Sequence, residues 1–206
     1  MGVSIHYRGR LDDISMLSDL INELSDIANS MGWEQTQLDD DWSEPPDACL
    51  HHTSTGAHIQ GNLGLKGIEI SPGSGGEPLS FYFNCDGELR SVMGMLLILE
   101  GTVSPANAWT SVKTQFVSTD VHVWMIGLLK YLQKRYISNL EVSDEGEYWE
   151  TGKLDTLYQR RQLIDDKIEQ LSGALSSNQL GDIKNMTPEQ IATKIEQLLL
   201  DKDTNL

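Results

Sequence analysis

The segment from Ser111 to Trp149 constrains the fold more strongly than any other part of the chain. Val112, Thr114 and Phe116 alternate with polar residues, and this period of two predicts a half-buried strand. Residues 118–120 then offer side-chain oxygens that can cap the start of a helix. The apolar face of this helix has close to 3.6-residue spacing and consists of Val121, Met125, Leu128, Leu129, Leu132 and Tyr136.

The order strand, helix, strand is predicted twice in the chain. In the first instance a strand over Val3–Arg10 precedes an amphipathic helix over 13–31, and Trp33–Leu38 follows as a strand. In the second instance Ile137–Val142 returns as a strand after the central helix, and Asp144-Glu145-Gly146 ends it. No residue-level repeat accompanies this order, so the similarity is architectural only.

Between these two units the sequence predicts an acidic loop and further strands. Pro45-Pro46 excludes regular structure from the acidic loop over Asp39–Ala48. Alternating apolar residues predict strands over 63–70 and 79–83, and Leu89–Leu99 is predicted as the returning strand of a hairpin that turns at Asp86-Gly87. The predicted class is α+β, a mixed β-sheet with amphipathic helices packed on it, over residues 1–152.

Residues 153–206 are predicted to add a C-terminal helical hairpin. Its first helix carries a heptad seam formed by Leu154, Leu157, Arg161, Ile164, Ile168, Leu171 and Leu175. Thr187-Pro188-Glu189-Gln190 combines a capping box with proline at the first helical position, which predicts a second helix. Its apolar stripe consists of Ile191, Ile195, Leu198 and Leu199. Two helices alone bury little surface, so the hairpin packs either on the body or on a second copy as a homodimer.

The charge balance limits the partners of the chain. Fifteen Lys and Arg residues against 31 Asp and Glu residues give a formal net charge of -16. This charge opposes direct binding to nucleic-acid phosphates, which requires a basic surface. It is compatible with a basic protein partner, with cation binding, or simply with solubility.

Three features of the sequence favour a cytoplasmic location. Two cysteines, Cys49 and Cys85, make no disulfide framework and therefore favour a reducing compartment. The N-terminus lacks a basic region followed by an apolar one, so no signal peptide is expected. The longest apolar run, Met95–Leu99, is too short to span a bilayer, so no membrane association is expected.

His122 is the main candidate for catalysis. It lies in the first turn of the central helix, where a neutral imidazole beside Lys113, Gln115 or Asp144 would act as a general base. His6 is a further candidate for the same pocket. The alternative is that His122 is a half-exposed residue at the rim of the sheet. No nucleophile elbow or metalloprotease motif is present, and the sequence therefore favours a non-enzymatic function.

Cys49, His51, His52 and His58 are the candidate metal ligands, and Cys85 would join them if the fold allowed it. Their spacing matches no common zinc motif, and histidines in loops are usually solvated. An oxygen-rich site would require the carboxylates of Asp144, Glu145, Glu147 and Glu150 to converge. Neither a metal nor another cofactor is therefore expected.

The chain resembles a group of uncharacterised bacterial proteins to which no activity is attached. The resemblance lies in the KTQF strand at 113–116, the histidine His122, and the motif Asp144-Glu145-Gly146 with Tyr148-Trp149-Glu150-Thr151-Gly152. It covers roughly two thirds of the chain. Lys153 stands where the group has an acidic residue. The resemblance implies a bacterial α+β domain and no particular chemistry.

Two functions are expected from these features. The first is an acidic interaction protein, similar to an immunity protein, an antitoxin or a scaffold, which binds a basic partner by charge complementarity. Its candidate binding residues are Trp42, Gln115, Glu145, Tyr148 and Trp149. The alternative is an enzyme or a small-ligand-binding protein. Its pocket would lie near His6, Lys113, His122 and Asp144.

Overall fold

The computed structural model of the chain describes residues 3–54, 56–73, 75–176, 187, 189–190 and 193. The strands of this part are β1 (Ser4–Arg8), β2 (Glu34–Asp39), β3 (Cys49–Thr53), β4 (Gly56–Gln60), β5 (Lys66–Ser71), β6 (Leu79–Phe83), β7 (Leu89–Arg90), β8 (Thr110–Lys113) and β9 (Glu141–Asp144). The helices are α1 (Leu17–Met31), α2 (Val92–Leu99), α3 (Thr119–Arg135), α4 (Tyr148–Thr151) and α5 (Leu154–Ser176).

The strands form three antiparallel sheets with the orders β8-β1-β9, β2-β5-β6-β7 and β3-β4. The predicted α+β class is confirmed, but the single mixed sheet is replaced by these three sheets. The parallel pairing that a mixed sheet requires is absent from the second predicted strand–helix–strand unit, which lies within the described residues. Strands β8 and β9 run in the same direction on either side of α3, yet β1 lies between them and pairs antiparallel with both.

One hydrophobic core joins the two larger sheets to α1 and α3. Helix α3 begins as predicted, because Ser118 caps it by accepting a hydrogen bond from the Val121 amide, and α1 ends at Gly32 in the left-handed conformation. Helix α1 begins only at Leu17, because residues 14–16 of the predicted helix form a 3-10 turn that Asp13 caps. The buried residues at the centre include Ile5, Tyr7, Leu20, Leu24, Ile68, Phe81, Met125 and Leu129. A second, smaller cluster around Leu65 and Leu96 packs beneath α2, with Leu50 of the β3–β4 hairpin at its edge.

The strand predicted over Leu89–Leu99 is wrong. Only Leu89–Arg90 pairs as β7, and residues from Val92 onward form α2. The Oγ atom of Ser91 accepts a hydrogen bond from the Gly94 amide at 3.0 Å and so caps this helix. A continuous apolar run has no period, and periodicity therefore does not distinguish a buried strand from a buried helix.

The strands around α3 are shorter than predicted. Strand β8 ends at Lys113, because the chain turns at the next residues, and the Val117 amide donates to the Thr114 carbonyl oxygen at 3.2 Å. Phe116 is consequently 67% exposed, although its phase in the predicted strand would bury it. Strand β9 begins only at Glu141, and the apolar residues that precede it form a buried turn.

The first helix of the C-terminal hairpin is present as α5. Its Leu157 is fully buried against the body of the protein. The second helix lies almost entirely outside the described residues, and so does its apolar stripe. The capping box is nevertheless visible, because the Thr187 amide donates to the Gln190 side chain and the Gln190 amide donates to the Thr187 hydroxyl. Within the described ranges, no helix has both the length and the apolar character needed to cross a bilayer.

Candidate functional site

The β8-β1-β9 sheet separates the four predicted pocket residues into two pairs. Side chains alternate between the two faces of a strand, and the inner face of β1 carries the buried Ile5 and Tyr7. His6 therefore lies on the outer face, and Lys113 shares that face because it pairs with Ser4. Asp144 pairs with Ile5 and lies on the inner face with His122. The structure brings His122 and Asp144 together and keeps His6 and Lys113 apart from them.

His122 and Asp144 form a buried hydrogen-bonded pair. The Nε2 atom of His122 lies 3.2 Å from the Oδ2 atom of Asp144. The histidine is fully buried and the aspartate is 5% exposed. His122 reaches this position because the Ser118 cap fixes the first turn of α3 over the inner face of the sheet. It is therefore not the half-exposed rim residue that was one of the sequence alternatives.

Thr114 is the third member of the cluster. Its Oγ1 atom lies 2.8 Å from the Nδ1 atom of His122 and 3.1 Å from the carbonyl oxygen of Val3, to which the hydroxyl can donate. A neutral His122 imidazole protonated on Nε2 satisfies the two contacts of its ring, because Nε2 donates to Asp144 and Nδ1 accepts from Thr114. An imidazolium also satisfies them, since Thr114 then accepts from Nδ1 and donates to Val3. Sequence analysis placed Thr114 on the buried face but did not include it in the site.

Asp144 also organises the turn that follows β9. Its Oδ1 atom accepts a hydrogen bond from the Gly146 amide at 2.8 Å. Its Oδ2 atom accepts from the amides of Tyr148 and Trp149 at 2.8 and 3.0 Å, at the start of α4. Burial alone would raise the pKa of the Asp144 carboxyl. The hydrogen bond and charge of His122, together with these amides, outweigh burial and lower that pKa below its ordinary value.

The cluster is enclosed, and its geometry is that of a structural link. The Thr114, His122 and Asp144 side chains connect β8, α3 and β9 at one end of the sheet. On the outer face, His6 Nε2 lies 3.8 Å from Glu145 Oε1, and Lys113 Nζ lies 5.0 Å from the centre of the Phe116 ring. The chemistry of proton transfer requires contact with a substrate. The His122 imidazole is fully buried, so a substrate in solution does not reach it in this structure.

The remaining predicted binding residues lie at separate places. The Trp42 indole donates to the Gly64 carbonyl oxygen at 2.9 Å, and Tyr148 and Trp149 are half-buried against the main core. Glu145 accepts from the Ser4 amide at 2.8 Å. The Oε1 atom of Gln115 is buried and has no hydrogen-bond partner among the described residues.

Gln115 lies in a groove beside α5 that also contains Arg161. This groove encloses about 440 Å³ and includes Thr119 and Tyr158 among its lining residues. The Arg161 guanidinium donates to the carbonyl oxygens of Thr114, Gln115 and Val117 and to the Thr119 hydroxyl. The single arginine in the predicted heptad seam thereby binds the loop that precedes α3.

The β3–β4 hairpin separates the candidate metal ligands. Cys49 and His51 lie on one face of β3, and His58 lies directly opposite His51 on β4. His52 lies on the other face, next in phase to Leu50. Cys85 lies in the turn between β6 and β7. In the described ranges, no three His, Cys, Asp or Glu side chains are already arranged to hold a metal ion.

The charge of the chain is strongly segregated, a feature that the sequence analysis did not use. Residues 11–65 contain eleven of the 31 acidic residues and no Lys or Arg. In the structure these residues include α1, β2 and the loop over 40–48. A groove of about 470 Å³ lies between α1 and β2, with Trp42, Asp39 and Lys66 among its lining residues. Counting charge in windows along the sequence would have found this surface.

Comparison with known proteins identifies no relative: no family model, no curated protein and no solved structure matches the chain.

Proposed function

We propose that the protein is a non-enzymatic acidic interaction protein that binds a basic protein partner through α1, β2 and the loop over 40–48. We call these elements the acidic surface. The observation that carries the proposal is the absence of Lys and Arg from residues 11–65, against eleven Asp and Glu residues. A predominantly acidic surface of this kind attracts a partner of the opposite charge and accelerates its association.

Several carboxylates of the acidic surface are available to a partner. Asp19, Asp26 and Glu34 are exposed, and none forms an ion pair or side-chain hydrogen bond within the described part of the chain. Other carboxylates support the fold: Glu23 accepts hydrogen bonds from Tyr131 and Tyr136. The exposed carboxylates are the ones that we expect to contact the partner.

The groove between α1 and β2 supplies an apolar contact within the acidic surface. Trp42 lines it and is only partly buried, and its ring packs against the main core. Lys66 is the basic side chain of the groove, and its Nζ atom lies 2.6 Å from Asp39 Oδ1 and 5.3 Å from the centre of the Trp42 ring. Aromatic side chains in such positions frequently dominate the energy of an interface.

Burial of the histidine cluster supports a non-enzymatic function over the alternative of a catalytic pocket. His122 and Thr114 are fully buried, and Asp144 is nearly so. His6 and Lys113, the other residues of that alternative, lie on the opposite face of the sheet. A pocket built from all four residues would require the sheet itself to open.

The C-terminal homodimer stays a prediction. Within the α5 seam, Leu157 is fully buried against the body and Arg161 binds the loop before α3, whereas Leu154 at the start of the seam is 46% exposed. Further along the same seam, Ile168 is 45% exposed. A second copy would cover this later part of the seam.

The test is a pull-down from lysate at low and high salt with matched neutralising variants. The combination D19N, D26N and E34Q removes three charges from the acidic surface. The control E100Q, D155N and D166N removes three exposed charges elsewhere. We expect the wild type and the control to retain a basic protein at low salt and to lose it at high salt. The acidic-surface variant should retain much less. Salt-independent capture, no capture, or equal loss in both variants would contradict the proposal.

A further inference from the structure

We propose that Cys49, His51 and His58 form a Zn²⁺ site on the solvent-facing side of the β3–β4 hairpin. This site is independent of the acidic surface and of the histidine cluster. The hairpin pairs Cys49 with Gln60, His51 with His58 and Thr53 with Gly56. The three proposed ligands are exposed, so a metal ion can reach them directly from solvent.

Two of the ligands are already at the separation that zinc requires. The Sγ atom of Cys49 lies 3.3 Å from the Nε2 atom of His51. In a tetrahedral site with Zn–S near 2.3 Å and Zn–N near 2.0 Å, the sulfur and nitrogen ligands are about 3.5 Å apart. The two side chains share a face because they are two residues apart on β3. They form an almost preorganised pair of donors.

His58 supplies the third ligand from the neighbouring strand. Its ring stacks on that of His51, with the ring centres 5.8 Å apart and the planes at 24°. Stacked rings do not yet direct three donor atoms at one point, which agrees with the absence of a preformed three-residue group in the described part of the chain. Metal binding therefore requires the exposed His58 side chain to turn its ring toward the Cys49–His51 pair.

The donor set selects zinc among the common divalent cations. One thiolate and two imidazoles are ligands that suit Zn²⁺, whereas Mg²⁺ and Ca²⁺ prefer oxygen. Binding replaces the proton of the Cys49 thiol by the metal, and that proton is released to solvent. A water molecule takes the fourth position. The net charge of -16 also concentrates cations near the protein.

The chain contains its own matched controls for this site. His52 is next to His51 in sequence but lies on the opposite face of the hairpin. Cys85 is the other free and exposed cysteine, and it lies in the turn between β6 and β7. Replacing His52 or Cys85 therefore removes the same chemical group without touching the proposed ligands.

The first experiment titrates the tag-free full chain with Zn²⁺ by calorimetry and with Co²⁺ by absorption spectroscopy. We expect one metal ion per chain and a thiolate-to-cobalt charge-transfer band. C49A, H51A and H58A should each weaken Zn²⁺ binding by more than about tenfold, because even second-shell changes cost about 10- to 100-fold. H52A and C85A should bind like the wild type. Equal weakening by H51A and H52A, or no binding by the wild type, would overturn the proposal.

The second experiment requires no substitution and therefore does not depend on whether the variants fold. Iodoacetamide labelling of the wild-type chain is followed at both cysteines by mass spectrometry, with and without Zn²⁺. Coordination removes the thiolate of Cys49 from reaction, so we expect Zn²⁺ to slow labelling of Cys49 and to leave Cys85 unchanged. Equal labelling of Cys49 with and without Zn²⁺ would overturn the proposal, and so would equal protection of both cysteines.

Discussion

The imidazole of His122 and the carboxylate of Asp144 meet at 3.2 Å in the interior of the protein, 22 positions apart in the chain. Through this contact the first turn of α3 is tied to the end of β9, and Thr114 extends the link to β8. Asp144 in turn holds the amides at the start of α4. The Asp144 carboxylate at the end of β9 thus contacts α3 and α4 directly, and through His122 and Thr114 it is connected to β8.

Asp144→Asn tests how much this link contributes to the free energy of unfolding. We expect the substitution to lower the free energy of unfolding by about 3 kcal/mol, because an asparagine amide cannot replace the carboxylate that faces the His122 imidazole and accepts hydrogen bonds from three backbone amides. Urea unfolding at neutral pH measures the change. The control is Glu150→Gln, an exposed carboxylate in the same turn, which should change stability by less than about 0.5 kcal/mol. Equal effects of the two substitutions would show that the link contributes nothing specific.

The lowered pKa of Asp144 predicts a pH dependence with a definite sign. Burial opposes ionisation, but His122 and the amides of Trp149 and Gly146 outweigh it, so the folded pKa lies below the ordinary value of 3.8. The stabilisation is therefore present above that value and is lost as the pH falls through the folded pKa. The stability difference between the wild type and Asp144→Asn should shrink as the pH falls from about 5 through the folded pKa, which lies below 3.8.

Two measurements check this pH dependence. Urea unfolding of both proteins across the acid range gives the stability difference, and a carbon-detected NMR titration of the Asp144 carboxyl gives its pKa directly. A difference that grows toward acid pH, or a carboxyl that titrates above 3.8, would contradict the prediction.

The parts of the fold that sequence analysis predicted depend on local periodicity and on caps. The apolar face of α3 repeats every 3.6 residues, and Ser118 begins the helix as expected. Helix α2 was missed because the run around Leu96 is apolar at every position and contains no period. Phe116 was misplaced because the alternation continues in sequence after the strand has ended.

The site was only partly predictable because its contacts are long-range. His122 and Asp144 were both named, but their burial against one another depends on the packing of α3 over β9. The separation of His6 from them was available in the sequence, since His6 alternates with the apolar Ile5 and Tyr7. The role of Thr114 was not available, because a hydroxyl on a buried strand face has many partners.

Gly146→Ala tests how closely α5 packs on the cluster. A Cβ atom at position 146 would lie 2.6 Å from Leu157 Cδ1 and 3.1 Å from both Asp144 Oδ1 and His122 Cε1. We expect a loss of about 1–3 kcal/mol from this overpacking, measured by thermal or urea unfolding.

The matched control is Gly127→Ala in the middle of α3, where an added Cβ atom meets nothing within 4 Å. The same substitution at this exposed helical position should instead stabilise the protein by about 0.5–1 kcal/mol, because alanine has the higher helix propensity. A loss of stability in Gly146→Ala together with a gain in Gly127→Ala would support the close approach of Leu157 to Gly146. Stabilisation at both positions would contradict it.

Arg161→Met tests how α5 is attached to the body. The Arg161 guanidinium donates to the Gln115 and Val117 carbonyl oxygens at 3.2 and 2.5 Å, to the Thr119 hydroxyl at 3.0 Å, and also to the Thr114 carbonyl oxygen. Methionine keeps the apolar stem but leaves these acceptors without their donor. We expect a loss of about 2 kcal/mol in the free energy of unfolding, together with faster amide hydrogen exchange along α5.

Its neighbour Arg160 provides the control for this last substitution. Arg160 pairs with Glu147 at the surface, where both side chains remain substantially exposed to solvent. Because exposed ion pairs contribute little, Arg160→Met should cost less than about 1 kcal/mol and leave exchange along α5 unchanged. We therefore expect Arg161, and not Arg160, to attach α5 to the body of the protein. A larger effect at Arg160 than at Arg161 would place the attachment of α5 elsewhere in the seam.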